Sequence, residues 1–177
     1  MKSILVSETY SIEDCIFYDP CTSNAKASAW TIPSGVTSTY SSEGWNVSAN
    51  AYKQIKLTEK LTSACSVEFT LTDFSNTSDM AVIIFAYTNG ETTPNKKILS
   101  GGTTLSSNRV VFNSSIGHEI VKNVPYRIEY GSSTMKVYED GTQIGSATNN
   151  IGFPTRFEFH TGSNRWAIYK DIKVKPL

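Results

Sequence analysis

Apolar and polar residues alternate along most of this chain. Cys65-Ser66-Val67-Glu68-Phe69-Thr70-Leu71-Thr72 puts Cys65, Val67, Phe69 and Leu71 on one side and only polar residues on the other. That period of two marks an antiparallel strand with one wet face. Ile55 and Leu57 alternate with Gln54 and Lys56 in the same way. So do Tyr126-Arg127-Ile128-Glu129-Tyr130 and Arg156-Phe157-Glu158-Phe159-His160. Met80 to Tyr87 is apolar on both parities, which predicts a strand inside a sheet covered on both sides. Turn residues punctuate these runs at Asp19-Pro20, Pro33-Ser34-Gly35, Thr88-Asn89-Gly90 and Gly131-Ser132-Ser133. Glu139-Asp140-Gly141-Thr142 predicts a tight hairpin, because Asp-Gly accepts the positive φ that such turns need. Helical periodicity is nearly absent. The spacing predicts roughly eleven to fourteen strands without an internal repeat, and two stacked antiparallel sheets are the simplest way to bury them.

Parity also sorts the aromatic residues. Trp45 shares parity with Val47, and Tyr126 and Tyr130 flank Ile128, so these are expected in the core. Trp166, Ile168, Ile172 and Val174 are all even-numbered positions of the last strand, which places Trp166 with the core as well. Trp30 follows a Ser/Asn/Ala loop and is expected to plug one end of the sandwich. Tyr138 lies opposite in parity to Met135 and Val137 and is expected to face outward.

Composition agrees with strands. The 177 residues include 43 Ser and Thr but only seven Leu, and the apolar positions go to β-branched and aromatic residues. Sixteen basic and sixteen acidic residues cancel, and the absence of a basic stripe argues against a nucleic-acid partner. No apolar run reaches membrane-span length, so membrane insertion is not expected. Residues 1–11 read as a leader or an edge strand, and residues 12–177 as one domain. Glu8 interrupts the short apolar stretch too early for a signal-peptide core. Cys15, Cys21 and Cys65 are an odd set. Cys15 and Cys21 are spaced so that they could pair, but buried free thiols are the simpler reading. Three Asn-x-Ser triplets, at Asn46, Asn76 and Asn113, are no more than chance supplies in so Ser-rich a chain.

Several of these segments together resemble a known family. Pro125-Tyr126-Arg127-Ile128-Glu129-Tyr130 leads to Val137-Tyr138-Glu139-Asp140-Gly141, then Phe157-Glu158-Phe159, then Lys170-Asp171-Ile172-Lys173-Val174. Towards the start stand an acidic-aromatic stretch from Asp14 to Asp19, then Trp30, then Gly44-Trp45-Asn46-Val47. The pattern resembles the concanavalin A-like, laminin G-like jelly roll. The resemblance implies an all-β, two-sheet antiparallel jelly-roll sandwich. It leaves function open, since such folds serve as lectins, glycan-binding modules, glycosidases and adhesive domains. Small domains of this look occur in phage tail and baseplate proteins and in surface adhesins, which implies an extracellular, cell-surface or virion setting.

Glycosidases of this superfamily carry paired carboxylates on one strand, as Glu-x-Asp-x-x-Glu. Residues two apart share a face, so the motif places two acids beside one bond. Here Glu68 is followed two residues on by Thr70, Glu129 by Gly131 and Glu158 by His160. His118 and His160 have no nucleophile setting such as Gly-x-Ser-x-Gly. A non-catalytic chain is therefore expected, with a carbohydrate as partner. Sugar recognition needs flat aromatic faces and planar polar groups. Tyr87, Asn89, Arg109, His160, Asn164 and Arg165 are the candidate binding residues, although a plain hairpin turn also accounts for residues 162–164. Relatives of this fold bind calcium. Asp73, Asn76 and Asp79, at three-residue steps in one loop, are either a calcium loop or solvated acids. No other cofactor is expected. The alternative to glycan binding is a structural or protein-binding module of a homo-oligomer or larger assembly.

Overall fold

The computed structural model describes residues 15–51, 53–58, 61, 63–75, 82–87, 96–101, 109–110, 121–148, 156–161 and 164–177. Fourteen strands account for most of them: β1 (Phe17–Asp19), β2 (Trp30–Thr31), β3 (Val36–Ser41), β4 (Gly44–Ala49), β5 (Lys53–Leu57), β6 (Cys65–Phe74), β7 (Val82–Tyr87), β8 (Lys96–Gly101), β9 (Arg109–Val110), β10 (Val124–Tyr130), β11 (Thr134–Glu139), β12 (Thr142–Thr148), β13 (Arg156–Thr161) and β14 (Arg165–Pro176). The Ser/Asn/Ala segment expected to be a loop is instead a 3₁₀ helix, Asn24–Ala29, capped by Ser23, whose hydroxyl accepts from the Ala25 N–H.

The strands form two antiparallel sheets. The larger has the order β12-β11-β10-β6-β14-β4-β3, with β1 also paired to β14. The smaller has the order β2-β5-β13-β7-β8-β9. The chain crosses between sheets at β1–β2, β2–β3, β4–β5, β5–β6, β6–β7, β9–β10, β12–β13 and β13–β14, so the two sheets are interleaved along the sequence. The hairpin between β11 and β12 behaves as its turn residues require. Asp140 and Gly141 have φ of 46° and 77°, the left-handed pair of a two-residue turn between β11 and β12.

The core lies between the sheets and is heavily aromatic. Phe159 of the smaller sheet sits among Tyr169, Phe69 and Trp45 of the larger, with ring centroids at 4.1, 5.7 and 6.4 Å. Trp30 packs on Trp45 at 4.9 Å and on Phe17 at 5.7 Å, buried within this cluster. Each such pair contributes about 0.5–1.5 kcal/mol beyond simple area burial. The inward row Cys65, Val67, Phe69, Leu71 is fully buried, as alternation requires. Ser66 is buried too, although on the polar parity, because its register partners are the longer Glu129 and Lys175. The three thiols are free; Cys21 and Cys65 are buried and Cys15 half-buried.

One parity assignment fails, and the reason is geometric. In β14, Ala167 and Tyr169 are buried, and so are Ile172 and Val174. Two residues separate Tyr169 from Ile172, so an extra residue must be absorbed. It is: the pairing with β6 shifts between Lys170 and Lys173, and Asp171 takes a φ of 53°. The bulge inverts the parity of the first half of β14. Trp166 and Ile168 therefore face away from the core, half-exposed, and not into it.

Candidate functional site

The smaller sheet positions two of the six candidate residues in one line. β13 lies between β5 and β7. Phe159 pairs with Ile55 on one side and Ile84 on the other, and Phe159 and Ile55 are buried core. The next row along the strands runs Gln54–His160–Ile83–Ser100–Arg109 through four successive pairings. His160 and Arg109, far apart in the chain, thus occupy one cross-strand row. Three strand spacings separate them, about 14 Å. Tyr87 pairs with Arg156, four residues from that row, or about 13 Å along the strand. Asn164 and Arg165 follow β13 at the His160 end. Asn164 is exposed with a φ of 54°, and Arg165 begins β14 in the other sheet, its Nη1 donating to the Asn164 carbonyl at 3.0 Å. The structure brings His160, Arg109, Asn164 and Arg165 towards one end of the strands and puts Tyr87 at the other. Asn89 lies outside the described residues.

The acidic loop is only partly described, since Asn76 and Asp79 lie outside. Asp73 is already engaged: Lys122 Nζ approaches Oδ1 to 2.5 Å, and the Phe74 N–H donates to the same oxygen at 2.9 Å. The hydrogen bond from Lys122 holds the Asp73 carboxyl below its usual range, with the Phe74 N–H and the lysine charge adding to the effect. Among the described residues, no group of three His, Cys, Asp or Glu is arranged to hold a metal ion.

The outer face of the larger sheet carries the other notable chemistry. Tyr138 faces outward as expected; Arg127 lies over its ring at 4.0 Å, and its hydroxyl donates to Glu129 at 3.1 Å. Glu129 also meets Arg127 at 3.2 Å, and Glu68 meets Lys175 at 3.0 Å. Glu68 and Asp73 share this face of β6 across an irregular stretch. They stand five positions apart along the strand, about 16 Å, where glycosidase pairs stand roughly 5–10 Å apart. Beyond Ile168, a groove of about 430 Å³ opens between the β3–β4 turn (Ser42, Glu43), the end of β6 (Thr72, Asp73), Asn123 and Lys170. Lys170 Nζ donates to the Ser42 carbonyl at 3.3 Å, and the Thr72 hydroxyl donates to that of Glu43 at 3.1 Å.

Sequence reasoning missed Trp166 as a surface residue. The local pattern carries no signal for it, because each half of β14 alternates by itself and the inserted residue near Lys170-Asp171 shows only in the pairing with β6.

No protein-family model matches the chain. No curated protein matches it by sequence either. Solved structures do match. A Bacillus subtilis protein of unknown function with a galectin-like fold is 14% identical, at a TM-score of 0.61, over 91% of this chain and 95% of that one. The B. subtilis carbohydrate-binding module CBM66 is 13% identical, at 0.57, over 83% and 95%. An endo-β-galactosidase from Clostridium perfringens that releases GlcNAcα1-4Gal is 10% identical, at 0.62, over 93% of this chain and 63% of that one. At such identities the likeness is one of fold, and the fold is the two-sheet sandwich of concanavalin A-like proteins.

Proposed function

Proceeding from that concanavalin A-like sandwich, we propose that the chain is a non-catalytic carbohydrate-binding module that recognises a cell-surface or wall glycan. The observation that carries the reading is the row Gln54–His160–Ile83–Ser100–Arg109 across the smaller sheet. The register sets residues from five strands in one cross-strand row, and four of the five residue types carry the planar or hydroxylic chemistry that sugar hydroxyls need. Tyr87, about 13 Å along the strands, supplies an aromatic at the far end of the same sheet. Asn164 and Arg165 flank the near end.

The similarity to CBM66 supports binding, and the similarity to a glycosidase points towards glycans without deciding catalysis. Against catalysis, three of the described carboxylates are engaged or far apart. Glu139 accepts from the Tyr126 hydroxyl at 2.5 Å, Glu68 is paired with Lys175, and Glu68 and Asp73 are too widely separated to act together. We place the module outside the cell, on a surface adhesin or a phage tail.

Affinity electrophoresis in polyacrylamide containing soluble polysaccharides tests the site. Arg109→Ala and His160→Ala should each weaken retardation about ten-fold or more, and Tyr87→Ala somewhat less. Retardation unchanged in all three variants would remove this face from consideration.

A second reading, a structural module of an assembly, is favoured by β3. It ends the larger sheet, and Val36-Thr37-Ser38-Thr39-Tyr40-Ser41 carries none of the charges or prolines that usually guard an edge. Mass measured by light scattering that rises with concentration, with no glycan retained, would select this reading.

A further inference from the structure

The outward turn of Trp166 creates a surface that the smaller sheet's row does not explain. Trp166 pairs with Ser48, and Ser48 with Thr37; Ile168 pairs with Asn46, and Asn46 with Thr39. All six share the outward parity of the larger sheet. Thr37 and Thr39 are exposed, and Asn46, Ser48, Trp166 and Ile168 are half-buried. The result is an apolar pair bordered on one side by residues that carry hydroxyl and amide groups. Along β14, about 7 Å past Trp166, Ile168 also lines the groove that ends at Lys170. The groove adds Glu43 and Asp73 as acceptors and Asn123 and Lys170 as donors, so neither sign of charge prevails. The backbone fixes this face firmly. Ser75 N–H donates to the Trp166 carbonyl at 2.9 Å, and Trp166 N–H donates to Ser75 Oγ at 3.4 Å, with Ser75 itself buried.

We infer that the outer face of the larger sheet is a second glycan-binding surface, with Trp166 and Ile168 as its apolar platform and the groove as its polar end. The ligand is an uncharged saccharide chain. An aromatic plane takes the apolar face of a sugar ring, and hydroxyl and amide rows take its edge. A charged polymer is disfavoured because the groove presents both signs together. The inference rests on the proposed function for the class of ligand, but not for the place where it binds. With one site on each sheet, the module can hold two chains, or one chain twice, and gains avidity from the pair.

Tryptophan emission tests this directly. Trp30 and Trp45 are 4% and 0% exposed, so Trp166 is the tryptophan that a soluble quencher reaches. Iodide quenching is measured on the full chain with and without soluble oligomers of N-acetylglucosamine, galactose or glucose. At saturation by one of them, the quenching slope should fall at least two-fold, in native protein and in Arg109→Ala alike. Trp166→Ala should weaken binding in Arg109→Ala about ten-fold, whereas Trp166→Phe keeps a flat ring and should stay within about three-fold. If Trp166→Ala melts early, the Phe variant and the native quenching still decide. Quenching unchanged at saturation, with binding abolished by Arg109→Ala alone, would overturn the second surface and leave the first. Binding by no oligomer and no polysaccharide would overturn both.

Discussion

Asp19 is fully buried yet well satisfied. Its Oδ2 accepts from Trp30 Nε1 at 2.9 Å and its Oδ1 from the Cys21 N–H at 2.8 Å. The second bond explains why Cys21, a non-glycine residue, tolerates a φ of 62°. Asp19→Ala should leave two buried donors without acceptors and cost about 2–4 kcal/mol in urea unfolding. The sequence shows Asp19 only as the start of a turn; its anchoring of Trp30, eleven residues on, depends on tertiary approach. Gly44 makes a sharper test. It has a φ of 133°, and an added Cβ would stand 2.4 Å from the Tyr169 carbonyl oxygen. Gly44→Ala should cost more than about 2 kcal/mol. Gly141→Ala, at a φ of 77° with nothing within 4 Å, should cost only about 1 kcal/mol.

Buried acids of the neutral kind set the alkaline limit. Burial pushes the Cys65 thiol up to about 12 and raises Cys21 as well. It pushes Tyr40 up to about 12 and raises Tyr126, Tyr130 and Tyr169. Each group keeps its proton in the folded chain at a pH where the unfolded chain would release it. Their contribution is therefore complete below the unfolded values, near pH 9 for thiols and 10 for tyrosines, and is lost as pH rises through the folded ones. Stability should decline above about pH 9, with the tyrosinate absorbance of the buried rings appearing together with unfolding. A thiol reagent at pH 8 should modify Cys15 in native protein and reach Cys21 and Cys65 only after denaturation.

At the scale of elements, β14 decides what faces outward. The strands themselves are legible in the chain, because alternation from Cys65 to Thr72 or Tyr126 to Tyr130 has a single interpretation. The last strand is legible only in halves. Each half alternates, but Asp171 shifts one against the other, and no local pattern says which half is in register with the core. The bulge has its own anchor, since the Tyr18 hydroxyl donates to Asp171 Oδ1 at 3.2 Å. Asp171→Asn should be tolerated, because Asn accepts left-handed φ. Asp171→Val should cost about 2 kcal/mol through backbone strain and the lost Tyr18 bond, read as a lower urea midpoint at unchanged slope.

At the scale of the whole molecule, the sandwich follows from alternation and turns, whereas the site follows from register. Nothing in the local sequence links Arg109 to His160. They come into line because β13 pairs with β7, β7 with β8 and β8 with β9. Tyr87 is a candidate because it ends an apolar strand at a polar tip, yet the antiparallel pairing sets it at the opposite end. The same dependence hid Trp166. The proposed glycan recognition belongs to sheet faces assembled by long-range pairing. The most direct test of glycan binding is an array of cell-surface and wall polysaccharides probed with the purified chain. Saturable binding to a restricted set of them, weakened about ten-fold in Arg109→Ala, is expected; a folded, monodisperse chain that binds none would contradict glycan binding.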